Sequence, residues 1–286
     1  MPLGCTSLRH VRVPDGIPVP HDNRRMASHS GQPHPALPGV PRALSFDSVA
    51  AQYATSRPSY PPQLFDTIEE LTGQPLHGRR VVDVGAGTGI ATRLLTSRGA
   101  RVLAVEPGPG MGEQLHEALP DVPLLRAVGD ALPLSSASAD LITYAQSWHW
   151  TEPERSVPEA IRVLAPGGAL AVWWNVPDPA VPWAAEQKAR LARRFDGYHH
   201  DVSLRASRLI TEVDPSLRPL YRELHWTRRV PLDQHMALLG SRSYFARLGP
   251  DRAAPLLAEE REEVSRVFRD GVVEEAYAVH LTVTFR

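Results

Sequence analysis

Short runs of apolar and β-branched residues alternate with amphipathic stretches between residues 80 and 174. The runs fall at 80–84, 101–105, 124–128, 141–145 and 169–174. Parallel strands joined by crossover helices produce this alternation. Between the first two runs, Ile90 to Arg98 carries Leu94 and Leu95 at helical spacing and is closed by Gly99. Between the fourth and fifth, Thr151 and Glu154 read as a capping box ahead of Ile161, Val163 and Leu164, with Pro158 expected to kink or restart the helix. After Trp174 the alternation stops: residues 176–218 read as Ala- and Arg-rich helices broken by prolines, a candidate insertion. Residues 221–230 can form a strand, and 255–270 form a helix with acids early, Arg266 and Arg269 late, and Gly271 beyond. Tyr277, Val279, Leu281, Val283 and Phe285 alternate with Ala278, His280, Thr282 and Thr284, the period of a half-buried terminal strand.

Ahead of the alternating region, Phe46, Val49, Ala50 and Tyr53 have helical spacing, and Pro61 and Pro62 open a second helix that runs through Leu71 to Gly73. Residues 1–42 are dense in proline and lack apolar periodicity, so they are expected to be a disordered tail, within which Met26 offers an alternative start. The expected organisation is one domain over 43–286. It has a ligand-binding core at 76–175, a cap at 176–240, and a C-terminal helix and last strand at 241–286.

Composition narrows the possible partners. The chain has 286 residues, 42% of them hydrophobic, and a net charge of −1, which suits a globular core and gives no basic surface for a phosphate backbone or an anionic membrane. Cys5 is the only cysteine, so intramolecular disulfides and multi-cysteine zinc sites are excluded. No run approaches the roughly 18 apolar residues that cross a bilayer, and no secretion signal is legible. A cytoplasmic protein acting on a small molecule, without nucleic-acid or membrane partners, is the expectation.

The chemistry concentrates in Val81, Val82, Asp83, Val84, Gly85, Ala86, Gly87, Thr88 and Gly89, a strand running through a glycine turn into a helix. Glycines there allow positive φ and close approach of a ligand, and the helix N-terminus offers unpaired N–H groups. A bare glycine turn is the alternative. A dinucleotide fingerprint wants a third glycine where Ile90 stands. An acid just before the loop instead suits a cationic ligand such as adenosylmethionine, with its ammonium and sulfonium groups, and Asp83 supplies that acid. Glu106 ends the second strand 23 residues after Asp83, where a carboxylate can accept bonds from both ribose hydroxyls; otherwise it is a solvated acid at a strand end. Asp130 follows the third strand and can accept from an adenine amino group while Ala131 and Met111 pack on the ring; otherwise it is a turn aspartate.

With these pieces in place, the chain resembles the class I S-adenosylmethionine-dependent methyltransferases of the small-molecule group. The resemblance rests on VVDVGAGTG at 81–89, AVEPGPGM at 104–111, GDALPLSSASADLI at 129–142 and RVLAPGG at 162–168, and it extends over 45–286. The leader FDSVAAQYATSRPSYPPQLFD and AQSWHW at 145–150 resemble a methyltransferase type 11 subgroup that includes trans-aconitate methyltransferase-like enzymes. It implies an α/β, Rossmann-like, seven-stranded and mostly parallel sheet with helices on both faces and a helical cap after the fifth strand. It also implies S-adenosyl-L-methionine as cofactor. Carried onto this chain, Asp83, Gly85, Ala86, Gly87 and Gly89 would hold the methionine part, Glu106 and Pro107 the ribose side, and Met111, Asp130 and Ala131 the adenine. Gln146 would lie beneath the methyl group. Tyr53 and Arg57 would close over the methionine carboxylate, or else serve as core and solvated surface.

Methyl transfer is an in-line displacement at carbon, so the protein must chiefly align the nucleophile and exclude water. His149, flanked by Trp148 and Trp150, is the best-placed base if one is needed, or else a hydrogen-bonded part of the pocket wall. Trp148, Trp150 and Tyr244 are candidate acceptor-pocket residues, with core packing as the alternative. His225, His235 and His280 have no acid partner readable from the sequence and are taken as structural. The place of the Asn/Asp-Pro-Pro-aromatic turn of base-amine methyltransferases is filled by Ala145, Gln146, Ser147 and Trp148. Asp140 begins the fourth strand rather than ending it, so no metal is expected. The alternatives to methyl transfer are an adenosylmethionine-binding relative without that activity and a nicotinamide oxidoreductase.

Overall fold

The computed structural model describes residues 57–195, 202–246 and 248–286. The expected tail at 1–42 and the first leader helix through Tyr53 lie outside these residues. In chain order the elements are α1 (Pro62–Thr72), β1 (Arg80–Val84), α2 (Ile90–Ser97), β2 (Arg101–Val105), α3 (Pro109–Ala118), β3 (Leu124–Leu125) and β4 (Ala139–Ala145). They continue with α4 (Pro153–Val163), β5 (Leu164–Pro177), α5 (Pro182–Arg194), α6 (Val202–Val213) and β6 (Leu220–Pro231). The last are α7 (Leu232–Gly240), α8 (Ser243–Ala246), α9 (Pro250–Val267) and β7 (Val272–Phe285). One seven-stranded sheet runs β3-β2-β1-β4-β5-β7-β6. The first five strands are mutually parallel, and β7 runs antiparallel to both β5 and β6.

The central strands of the sheet are buried on both faces, which explains their near-continuous apolar runs. On one face α4 and α6 bring Val157, Ala160, Val163, Ala206 and Ile210 against Val82, Ile142, Leu170 and Val172. On the other, α1 and α2 bring Leu64, Phe65, Ile68, Ala91 and Leu95 against Val81, Leu141, Ala171 and Trp173. Trp173 is wedged between the edges of Tyr60 and Phe65 at centroid distances of 5.7 and 6.2 Å. Truncating such an indole to alanine costs about 3–5 kcal/mol.

The segment expected as one helical cap, 176–240, is divided in space. α6 joins the sheet core, and β6 is a sheet strand along the whole length of β7. α5 instead meets α7, α8 and α9 in a separate helical cluster of Leu191, Met236, Leu239, Phe245 and Ala253. Arg190 on α5 ties this cluster together through the buried Glu260 on α9 at 3.0 Å.

Local expectations fail in several places, among them the last strand, expected half-buried but buried on both faces over most of its length. The third strand stops at Leu125 because it lies on the sheet edge, with only β2 to pair with. α4 has no side-chain cap: it begins with Pro153 after Glu152, and Thr151 instead donates to the Trp148 carbonyl and Ser156 Oγ. α4 also continues through Pro158 as one element, the proline ring lying on its exposed side.

Candidate cofactor and acceptor site

The site forms where β1, β2 and β4 end, the edge at which parallel sheets bind ligands. Gly85, Gly87 and Gly89 adopt φ of 66°, 58° and 85°, the left-handed region that favours glycine. Gly85 has a second reason to lack a side chain: a Cβ would stand 2.4 Å from Ser147 Cβ. Ser147 is held there by donating its hydroxyl to the Val84 carbonyl at 2.5 Å. Gly89 then caps α2, whose first N–H groups face the loop.

Asp83 plays a different part from the one expected. It is 0% exposed, with Oδ2 accepting from Thr92 Oγ1 at 2.6 Å and Oδ1 from Thr143 Oγ1 at 2.9 Å. Burial pushes its carboxyl above the usual range, against the pull of these hydrogen bonds. Asp83 locks β1, β4 and the start of α2 into one unit.

Glu106 is the hinge of the site. Its Oε2 accepts from the Gly87 N–H at 2.8 Å and its Oε1 from the Gly108 N–H at 2.8 Å, so one carboxylate joins the loops after β1 and β2. Pro107 follows it, its carbonyl accepting from Arg126 at 2.6 Å. Asp130 accepts from the Glu152 N–H at 3.0 Å and thereby fastens the turn after β3 to the start of α4; burial raises its carboxyl. Met111 is buried on α3 while Ala131 is exposed, so they do not share one sheltered surface. Thr88, not anticipated from sequence, carries a buried hydroxyl with no hydrogen-bond partner, inside the glycine loop itself.

At the end of β4, Gln146 has φ of 58°, a left-handed conformation that is strained for a non-glycine residue, and its N–H donates to the Trp173 carbonyl at 2.9 Å. Trp148 is core rather than pocket wall: it is 1% exposed and its indole N–H donates to Ser156 Oγ at 2.9 Å. Trp150 is 39% exposed and lies against His149 with centroids 4.6 Å apart. His149 Nδ1 accepts from Trp174 Nε1 at 3.2 Å. In a neutral ring this contact leaves the proton on Nε2, so His149 has the hydrogen-bonded arrangement given as the alternative to a base. Tyr244 packs on Phe195 and Phe245 in the α5–α9 cluster, at 4.8 and 5.2 Å. Arg57 is half-buried ahead of Tyr60, and Tyr53 lies outside the described residues.

The three histidines without readable partners all have them. His225 Nδ1 meets Asp178 at 2.7 Å, His235 Nδ1 meets Glu275 at 2.7 Å, and His280 Nδ1 meets the Tyr221 hydroxyl at 2.6 Å. No group of side chains able to hold a metal occurs among the described residues. Among them, too, no helix is long and apolar enough to cross a membrane.

A Rossmann-like sheet with a glycine loop after its first strand and an acid after its second defines a class of nucleotide-cofactor enzymes, and comparison with known proteins specifies which. Residues 82–172 match the methyltransferase domain family. An uncharacterized methyltransferase of Mycobacterium tuberculosis is 37% identical over 202 residues, covering 71% of this chain and 78% of the relative. An uncharacterized methyltransferase-like protein of Schizosaccharomyces pombe is 30% identical over 230 residues, covering 78% and 86%. The chain belongs to the methyltransferase family. Solved structures share the fold. One, described as a type II methyltransferase from Anaeromyxobacter dehalogenans, aligns with a TM-score of 0.62 at 24% identity, over 79% of this chain and 97% of that one. Phosphoethanolamine N-methyltransferase 2 of Haemonchus contortus, in complex with S-adenosyl-L-methionine, aligns with a TM-score of 0.51 at 13% identity, over 87% and 60%.

Proposed function

We propose that the methyl donor is S-adenosyl-L-methionine, seated between the loops after β1 and β2, and that the acceptor is a small molecule with an oxygen, nitrogen or carbon nucleophile. The observation that carries this reading is the Glu106 carboxylate. It is 5% exposed and spans both loops, and it is the acceptor that a ribose diol requires. The surroundings fit the same ligand. The loop backbone is open at Gly87, where a Cβ would meet nothing within 4 Å, and the unpartnered Thr88 hydroxyl faces the need for a polar ligand atom.

When bound, the donor supplies a methyl carbon on a positively charged sulfur. The protein's own residues hold it and shape the approach. Asp83, through Thr92 and Thr143, fixes the loop, and the strained Gln146 backbone turns the chain away at the end of β4. Gly85, Gly87, Gly89, Ala86, Glu106, Pro107, Asp130 and Met111 form the donor side, with Ala131 at its exposed rim. His149, fixed by Trp174, stands with Trp150 where the chain leaves β4 and shapes that wall of the site. The cap made by α5 and α7–α9 covers the acceptor side.

The experiment that tests this is incubation with S-adenosyl-L-methionine labelled in its methyl group and a metabolite extract, followed by mass spectrometry. Label appearing in a low-molecular-weight product is the expected result. Label found only in protein or nucleic acid would overturn the choice of acceptor class.

A further inference from the structure

A second group of ionisable side chains lies at the same edge of the sheet, away from the glycine loop. Tyr277, near the start of β7, pairs with Pro177 at the end of β5, so this part of β7 sits at the carboxyl edge. Glu275, two residues before Tyr277 on the same face, has a side chain only 3% exposed. It accepts from His235 Nδ1 at 2.7 Å, from the Tyr277 hydroxyl at 2.7 Å and from Arg228 Nε at 2.6 Å. Burial opposes its ionisation, but the hydrogen bonds from His235 and Tyr277 and the electrostatic pull of His235 and Arg228 outweigh it and hold the carboxyl below its ordinary value.

An ionised carboxylate only accepts, so the short contact fixes the His235 proton on Nδ1. The Gln187 amide nitrogen meets Nε2 at 3.2 Å, and an amide N–H donating there pairs with an Nε2 lone pair. Around this pair is a cleft whose walls carry the apolar Pro177, Trp183, Leu238, Leu239 and Tyr277 together with the charged Arg242. One step back along β5, Asn175 is 3% exposed. Its Oδ1 accepts from Trp226 Nε1 at 2.9 Å while its amide nitrogen has no partner, and the Trp226 ring stacks on Tyr277 at 5.1 Å. A buried amide donor without a partner is costly, and so is an oriented imidazole kept in an apolar wall for packing alone.

We propose that the cleft between α5, α7 and β7 binds the apolar, hydroxyl-bearing end of the methyl acceptor, and that His235, oriented by Glu275, accepts the hydrogen bond of that hydroxyl. As the helices stand, the cleft holds about 20 Å³, the room of a single water, and the Gln187 amide occupies the place of the ligand hydroxyl. Entry therefore displaces Gln187 on α5 and substitutes one donor to Nε2 for another. The hydroxyl class follows from His235: where the Gln187 amide now donates to Nε2, a ligand hydroxyl is a group that can donate in its place. His235 is a binding residue in this role and takes part in no bond-breaking step. That the bound molecule is the methyl acceptor rests on the methyltransferase reading; the cleft's preference for a hydroxyl does not.

The test uses the full chain saturated with S-adenosylhomocysteine, with 4-ethylphenol as probe and 4-ethyltoluene as its hydroxyl-free counterpart. Histidine-ring nitrogen NMR follows His235 during each titration. The phenol is expected to bind saturably and shift the His235 Nε2 resonance, with the hydrocarbon about 10-fold weaker. Gln187→Ala, which removes the competing donor and enlarges the cleft, should tighten phenol binding about 10-fold, and His235→Phe in that background should abolish the preference for the phenol. A purely structural contact predicts the opposite, loss of stability in Gln187→Ala with no gain in binding. Equal affinity for the two probes, or binding that leaves His235 unshifted, would overturn the proposal. S-adenosylhomocysteine binding measured on the same samples separates the two readings: failure of the cleft with that binding intact condemns the cleft alone.

Discussion

The donor end and the acceptor end of the sheet edge both depend on a buried carboxylate, and they are assembled over very different distances along the chain. At the donor end, Asp83 is bound nine residues on by Thr92 and 60 residues on by Thr143, and Glu106 reaches back 19 residues to Gly87. At the acceptor end, Glu275 collects His235 from 40 residues away and Arg228 from 47, while Arg190 and Glu260 close the cap across 70. The donor end is a turn built between consecutive β-α units and braced from the end of β4. The acceptor end exists only after β6, β7 and the helices between them have come together. A local turn tolerates change in the rest of the fold, whereas a long-range cluster lets the acceptor side vary without disturbing the donor loop.

Substitutions at the two ends should therefore separate. The largest effect is expected from Gly85→Val, which combines positive φ with a Cβ 2.4 Å from Ser147; about 3 kcal/mol of stability and all measurable S-adenosylhomocysteine binding should be lost, read by thermal unfolding and calorimetry. Glu275→Ala leaves His235 and Arg228 without their buried partner. It should cost about 3 kcal/mol in denaturant unfolding yet change S-adenosylhomocysteine affinity less than about threefold. A large loss of that affinity would join the two ends and break the comparison. Glu106→Ala should do the reverse, weakening binding roughly 10- to 100-fold for about 1 kcal/mol of stability.

The smallest effect is a pH dependence. The folded-state carboxyl of Glu275 lies below its ordinary value, so its contribution is fully present above the unfolded-state value near ~4.3 and is lost as pH falls through the lower folded value. The stability gap between the protein and Glu275→Ala should stay constant above about pH 5 and narrow as the pH falls below ~4. Asp83, raised by burial, runs the other way, since protonation relieves its burial cost; an unchanging gap down to pH ~3 would mean that Glu275 is not held ionised by its partners.

The same contrast governs what was legible in the sequence. β1 and β2 have the bounds that their apolar runs predict, and the glycine loop and Glu106 fall where spacing puts them, because all of these are set by neighbours close in the chain. The surroundings of Asp83, Trp148 and His149 were not legible, since each depends on a partner whose position the sequence pattern does not specify: Thr143, Ser156 and Trp174. Sequence alone had no means of finding Ser147 on Gly85, because a serine after a strand carries no signal until the two ends are in contact. The partners of His225, His235 and His280 were hidden for the same reason. The alternation of β7 placed Glu275 and His280 on a strand but did not show that β6 and α7 lie beside it.

The central claim, that the loop from Asp83 to Gly89 together with Glu106 holds S-adenosyl-L-methionine, is tested most directly by calorimetric titration of the full chain with S-adenosylhomocysteine and, separately, with NADH. The account predicts saturable one-to-one binding of S-adenosylhomocysteine that Glu106→Ala weakens, and no binding of NADH. Binding of NADH without S-adenosylhomocysteine would contradict it.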